Sequence, residues 1–270
     1  MISKRAITVA ISAACIGGGA LAAGLASGPD LIKFPEGFEK GVLYSTLDRH
    51  DTKQYRELYS TPEAVKAVRE GRPIPSGTVL TLVQYGAKKD DKGNVMKDAN
   101  VRVVKGDLIG YTLMEKRKGW GAAYPADWRN GDWEYAAFTK DKQPNGKANG
   151  NIKNCFVCHK PHEQQDFVIS LASLSGTAPG ATKRPSGPGT VAIAEFLFGP
   201  EKIVVKSGQT ITWTNVDDSP HQVTVQGEST LRTPMVLKGQ STTLQFDHVG
   251  SYGYICGLHP GMKGTIEVTK

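Results

Sequence analysis

Apolar positions between residues 61 and 139 follow two different periods. Thr61–Pro62–Glu63 predicts a helix start: threonine can cap, and proline suits the first helical position. Val65, Ala67 and Val68 supply its apolar side, and Gly71 ends it. Thr78–Tyr85, Asp107–Met114 and Trp133–Thr139 are dense in β-branched, aromatic and aliphatic residues and read as strands. Lys88–Asn94 (KKDDKGN) is a charged, hairpin-like turn. Together these give an α+β pattern. Beyond residue 190 the pattern is strand only: Thr210–Asn215, Gln222–Gln226, Thr242–Phe246, Ser251–Ile255 and Gly264–Thr269. Turn residues at Asp217–Asp218, Lys238–Gly239 and Val249–Gly250 separate them, the spacing of a small β-sandwich.

Between the two patterns, residues 173–190 (SLSGTAPGATKRPSGPGT) have no apolar periodicity and read as a Gly/Pro/Ser linker. At the start of the chain, two positive charges in Met1–Arg5 precede an uncharged small and apolar run to Ala26. This is the pattern of a secretory signal peptide, with small residues suited to cleavage before Ser27. The alternative, a retained anchor, is disfavoured by the glycines and alanines of the run. The expected organisation is therefore a signal peptide at 1–26, an α+β domain at 27–172, a linker at 173–190 and an all-β domain at 191–270. Export places the mature chain in the periplasm.

Charge narrows the partners. The net charge is +7, but 191–270 holds six basic against seven acidic side chains, and no segment forms a basic stripe with interleaved aromatics. Nucleic-acid binding finds no support, and membrane contact is expected only if the leader is retained. Cysteine is more informative. Outside the leader there are three: Cys155, Cys158 and Cys256. Three cysteines cannot all pair, and an idle thiol is a liability in an oxidising compartment, so other chemistry should occupy them.

Cys155–Phe156–Val157–Cys158–His159 is a C-x-x-C-H motif. Two thiols at this spacing can form thioether bonds to the two vinyl groups of one haem, with His159 as the proximal iron ligand. A zinc half-site would need more ligands than nearby His162 supplies. A redox dithiol would need a βαβ setting that the pattern lacks. His50, His162, Met96 and Met114 could compete as a sixth ligand. The expectation is that both histidines are surface residues, that Met114 is core and that Met96 flanks a turn.

The first domain resembles the cytochrome P-460 and cytochrome c′-beta family over Phe34–Ser170. The resemblance rests on Asp48–Arg49 through Tyr55–Arg56, Ile74–Pro75–Ser76–Gly77–Thr78, Gly131–Asp132–Trp133–Glu134–Tyr135 with Phe138, and Cys155–His159 followed by Lys160–Pro161. It implies a largely antiparallel sheet and a haem whose open distal position takes small nitrogen species. In P-460 proteins proper, a lysine also bonded to the haem supports hydroxylamine oxidation. Here Thr81, Leu82 and Val83 stand where that lysine is expected, which favours an apolar distal pocket of the c′-beta kind.

The second set is His221, Cys256, His259 and Met262. Two imidazoles, a thiolate and a weak thioether are the ligand set of a blue-copper centre. The flanks resemble cupredoxins: Phe196–Phe198 and Pro200, Val204–Val205, Gly208, Trp213–Asn215, Pro220–His221, Gly253–Tyr254 and Lys263–Gly264. The resemblance implies a Greek-key sandwich with one type 1 copper. The short Cys–His–Met loop is most similar to amicyanin, with Gln222 where amicyanin has asparagine. In cupredoxins the loop histidine, here His259, is the exposed electron exit, and Gly257, Leu258, Pro260 and Gly261 beside it suit a flat docking patch.

Three functions follow. An oxidoreductase would transform nitric oxide or hydroxylamine at the haem and pass electrons through copper to a periplasmic redox partner. A binding protein would capture nitric oxide without turnover. A pure carrier would need a six-coordinate haem. Fusion to a carrier favours the first and the missing lysine favours the second; no catalytic residue is assigned.

Overall fold

The computed structural model describes residues 28–99, 102–176, 185–227 and 231–270. The expected leader and the middle of the expected linker (177–184) lie outside the described residues. No helix among the described residues is long and apolar enough to cross a membrane.

The first domain is built on one antiparallel meander with its strands in chain order: β1 (Val42–Arg49), β2 (Gln54–Ser60), β3 (Val79–Ala87), β4 (Lys105–Lys116) and β5 (Trp133–Thr139). Helix α1 (Pro62–Arg69) joins β2 to β3. The Thr61 hydroxyl caps it by accepting from the Ala64 N–H, as the sequence suggests. After β5 come three short helices, α2 (Gly146–Asn149), α3 (Lys153–His159) and α4 (Leu171–Ser175).

Register decides what each face of the sheet does, because side chains alternate along every strand. Leu80, Met114 and Tyr135 are cross-strand partners and share a face, as do Leu58, Leu82 and Thr112 one step along. Glu57, Val83, Tyr111 and Phe138 line up on the opposite face. There Val83, Tyr111 and Phe138 join Ile32 and Phe34 from the N-terminal segment in an aromatic-rich core. Helices α3 and α4 contribute Phe156 and Leu174 to a second core with Leu80, Met114 and Tyr135.

Helix α4 enters the first three residues of the 173–190 stretch. A five-residue helix has no stability of its own, but burying Leu174 completely is worth roughly 1.5–3 kcal/mol and ties it to the domain.

The second domain is a two-sheet sandwich of eight strands: β6 (Thr190–Ala194), β7 (Leu197–Gly199), β8 (Lys202–Lys206), β9 (Gln209–Asn215), β10 (Val223–Val225), β11 (Ser241–Phe246), β12 (Gly250–Cys256) and β13 (Lys263–Thr269). One sheet has the order β10-β12-β13-β8 and the other β11-β9-β6-β7. The pairs β13–β8 and β6–β9 are parallel; the others are antiparallel. Strict alternation in β8 and β13 sends Ile203, Val205, Ile266 and Val268 inward to Trp213, Ile211 and Tyr254. The architecture expected for each half is the one observed. The apolar pattern does not mark β1, β2, β6, β7 or β8; in β1 and β2, Arg49 and Arg56 face a cavity and break the apolar alternation.

Two candidate redox sites and the cavity between them

Helix α3 presents the C-x-x-C-H motif. Cys155 and Cys158 lie three residues apart, on one helical face. Phe156 between them is buried against Tyr124, Trp128 and Tyr135, and the Asn130 side-chain N–H donates to its carbonyl over 2.9 Å. These contacts fix the helix so that both thiols and His159 face a cavity of about 470 Å³. Its far wall is the Leu80–Met114–Tyr135 face of the sheet, with Leu47 and Leu58.

Burial pushes the Cys155 thiol up to about 11 and raises Cys158 as well, so neither sulfur has the activated thiolate of a redox dithiol. Burial also pushes His159 down to about 4, keeping its imidazole neutral. Nδ1 of His159 lies 2.7 Å from the Phe167 carbonyl, which leaves Nε2 for a metal. That carbonyl is aimed by two consecutive left-handed residues, Asp166 (φ 51°) and Phe167 (φ 60°). Neither is glycine, and such backbone costs about 1–3 kcal/mol per residue. The Trp133 indole N–H, donating to the Asp166 carbonyl over 2.8 Å, helps hold it. Thiols and imidazole on one wall and aliphatic side chains on the other fit a haem.

The four candidate sixth ligands divide. Met114 is core, as expected, and also borders the cavity. Met96 is exposed in the hairpin arm. Neither histidine is a surface residue: His162 is buried under α3, its carbonyl accepting from the Phe167 N–H. The His50 ring lies between the domains, with Nε2 3.8 Å from Glu195. Neither borders the cavity. Of the Thr81–Leu82–Val83 segment, Leu82 takes the cavity face and Val83 the opposite core. Among the described residues, no lysine lines the cavity.

In the second domain, β12 ends in Cys256, and the loop before β13 carries His259 and Met262. His221 precedes β10. Cys256 Sγ lies 3.6 Å from Nδ1 of His221 and 3.6 Å from Nδ1 of His259, and the two nitrogens are 3.3 Å apart. A point equidistant from three atoms with these spacings is about 2.0 Å from each, an ordinary metal–imidazole distance. The donor set therefore fits a metal ion. Burial alone would raise the Cys256 thiol, but hydrogen bonds with His221 and His259 outweigh it and bring the thiol down to about 5. Met262 is fully buried beside Cys256 in the same core, and its carbonyl accepts from the Cys256 N–H.

Asp217 escaped the sequence reading, which took it as a turn residue. Its carboxylate lies 3.0 Å from His221 Nε2 and accepts from the Glu195 and Phe196 N–H groups. The four-residue spacing of Asp217 to His221 was a readable signal, but a weak one. Gln222 donates to the Thr233 carbonyl and borders the site through its own N–H, 3.4 Å from Cys256 Sγ.

The two sites meet. The cavity that holds Cys155, Cys158 and His159 is closed on its other side by Phe196, Val216, Asp217, Ser219 and His259 of the second domain. Arg49 and Arg56 line it at this end. Burial first, then repulsion from Arg49, pulls Arg56 down to about 9. Gly257, Leu258, Pro260 and Gly261 beside His259 are all exposed, and Gly261 also lies against the Asp51 backbone.

Such a pairing of a thiol–imidazole cavity with a His–Cys–His cluster in a β-sandwich defines a haem and copper redox protein of two fused domains. Residues 35–170 match the cytochrome P460 family model, and residues 188–269 match the model for copper binding proteins of the plastocyanin/azurin family. The chain belongs to the cytochrome P460 family through its first domain and to the plastocyanin/azurin family through its second.

Amicyanin-alpha of Methylorubrum extorquens is 34% identical over 113 residues, covering 38% of this chain and 95% of that protein. Amicyanin of Paracoccus denitrificans is 35% identical over 106 residues, covering 37% and 81%. The solved amicyanin of Paracoccus versutus is 27% identical, covers 32% of this chain and 86% of its own, and superimposes with a TM-score of 0.29.

Proposed function

We propose that this chain is a periplasmic oxidoreductase or binding protein for small nitrogen species, in which nitric oxide or hydroxylamine meets a covalent c-type haem and single electrons pass through one type 1 copper. A haem in the cavity supplies an iron that takes a small ligand and changes charge one electron at a time; a copper at the cluster supplies a one-electron store. The chain's own residues do the rest. Cys155 and Cys158 provide two thioether attachments on one helical face. His159 offers Nε2 because its Nδ1 is held by Phe167. Leu58, Leu80 and Leu82 exclude water from the far wall. Arg56, which lines the cavity, suits a haem propionate, since a guanidinium matches a carboxylate; the Arg49 fork is already taken by Asp51. Cys256, His221 and His259, with the buried Met262 beside them, would hold a copper ion and supply it with a thiolate and two imidazoles. Exposed Leu258 and Pro260 remain for a periplasmic redox partner.

The observation that carries this reading is that His259 of the copper cluster and His159 of the haem motif border one cavity. That no lysine among the described residues lines that cavity favours binding or reduction of nitric oxide over hydroxylamine oxidation. One observation favours a pure electron carrier: Met114, alone among the four candidate sixth ligands, borders the cavity. An optical spectrum of the reduced protein with and without nitric oxide separates them. A high-spin ferrous band that shifts on adding the gas supports the proposal. A low-spin spectrum indifferent to the gas, becoming responsive in Met114→Ala, overturns it in favour of the carrier.

A further inference from the structure

The β1–β2 turn inserts between the two sites, and its side chains are arranged in a chain of direct contacts. Arg49 borders the haem cavity and makes a bidentate pair with Asp51, both bonds 2.8 Å. Its guanidinium carbon lies 3.8 Å from the centroid of the Phe196 ring in the other domain. That ring stands edge-on to both copper-cluster imidazoles, 5.3 Å from His221 and 4.9 Å from His259 between centroids.

The ring is held there at a cost. Glu195 and Phe196 are consecutive non-glycine residues in the left-handed region, at φ 52° and 56°. Backbone of this kind persists only where its surroundings over-determine it. Here the Asp217 carboxylate does so, accepting both N–H groups while also facing His221 Nε2. One carboxylate thus fixes a copper-cluster imidazole and the aromatic ring that meets Arg49.

Close approach at the junction is built in as well. A Cβ on Gly261 would fall 2.7 Å from the Asp51 carbonyl oxygen, so only glycine lets the ligand loop seat on the turn. Leu47, two residues before Arg49, packs against the core of the second domain. A cation over an aromatic face is held by the negative face of the ring. The Asp51 pair holds the guanidinium over the ring rather than free to rotate.

We propose that Arg49, stacked on Phe196, is the positioning residue that couples the haem cavity to the copper cluster within one chain. This rests on the two-site redox reading above. The step it serves is a one-electron exchange: ferrous haem and cupric copper become ferric haem and cuprous copper, or the reverse, with no bond made or broken. Docking through this contact turns a bimolecular encounter into a fixed geometry, where small displacements cost large factors in rate.

The test uses the full chain loaded with both cofactors. A rapid pulse of reductant is followed by separate recording of the haem and copper bands. In wild type the two bands should re-equilibrate at a rate independent of protein concentration. Arg49→Gln and Phe196→Leu should each slow that exchange roughly tenfold while both static spectra stay unchanged. Arg49→Lys, which keeps the charge and loses the planar guanidinium with its two bonds to Asp51, should restore the rate only in part. Small-angle scattering of the cofactor-free full chain gives a second readout, with a larger radius of gyration expected in Arg49→Gln. Wild-type rates and dimensions in both Arg49→Gln and Phe196→Leu would overturn the inference. A wild-type chain with no concentration-independent exchange would overturn the two-site reading itself.

Discussion

Nε2 of His221 lies 3.0 Å from the Asp217 carboxylate, and Asp217 also borders the cavity on the haem side. Burial works to lower His221, but Asp217 and the Cys256 sulfur outweigh it and raise its proton affinity. The carboxylate holds the ring so that Nδ1 points at Cys256. Removing it in Asp217→Ala should weaken copper binding by roughly 10- to 100-fold, as loss of an outer partner of a ligating imidazole usually does. Competition with a chromogenic chelator measures this, and unchanged affinity would show that the sandwich alone orients the ring.

Cys256→Ser removes the thiolate while leaving the fold of the other domain untouched. The intense visible charge-transfer band of the copper site should disappear and haem absorption should stay. Loss of covalent haem in the same variant would contradict the assignment of the two sites to separate domains.

Cys155→Ala with Cys158→Ala should leave haem extractable by acid–acetone, or absent, with copper colour intact. Haem still covalently bound in the double variant would point to another attachment, including a lysine outside the cavity lining seen here.

Leu82 faces the cavity at the position where a cross-linking lysine is expected. The wild-type protein should show an ordinary c-type spectrum and turn over hydroxylamine poorly. Leu82→Lys should move the spectrum toward that of a P-460 haem if the side chain reaches the ring. A red-shifted P-460-type band in the wild type would reverse the functional preference, and mass spectrometry of haem peptides would locate the bond.

Acid should weaken the β1–β2 turn. Burial would raise the Asp51 carboxyl, but its hydrogen bonds with Arg49 outweigh this and hold it below the ordinary value of 3.8. A depressed carboxyl contributes stability that is fully present above the unfolded value and is lost as pH falls through the lower folded one. The melting temperature of the wild type should therefore exceed that of Asp51→Asn at neutral pH, and the two should converge below about pH 4. A gap that persists unchanged at about pH 3 would mean that another interaction carries the effect.

Much of this protein is legible in one dimension because its chemistry is local. C-x-x-C-H and Cys-x-x-His-x-x-Met each put most of a ligand set on a single short segment. Threonine and proline at positions 61 and 62 set a helix start whatever surrounds them. Strands β3, β5 and β9 carry enough β-branched and aromatic residues to be read without a partner.

What the sequence left open depends on pairing across distance. β1 and β2 look too polar to be strands until register turns Arg49 and Arg56 toward a cavity. His50 and His162 look like surface residues because a polar neighbourhood in sequence does not report burial in space. Leu82 and Val83 are neighbours with opposite fates, one on the cavity and one in the far core, and only strand register tells them apart. The contact of Arg49 with Phe196 joins residues 147 positions apart on two domains. No local pattern encodes it; it exists because Asp217 bends one backbone, Asp51 holds one guanidinium, and Gly261 lets the two surfaces close.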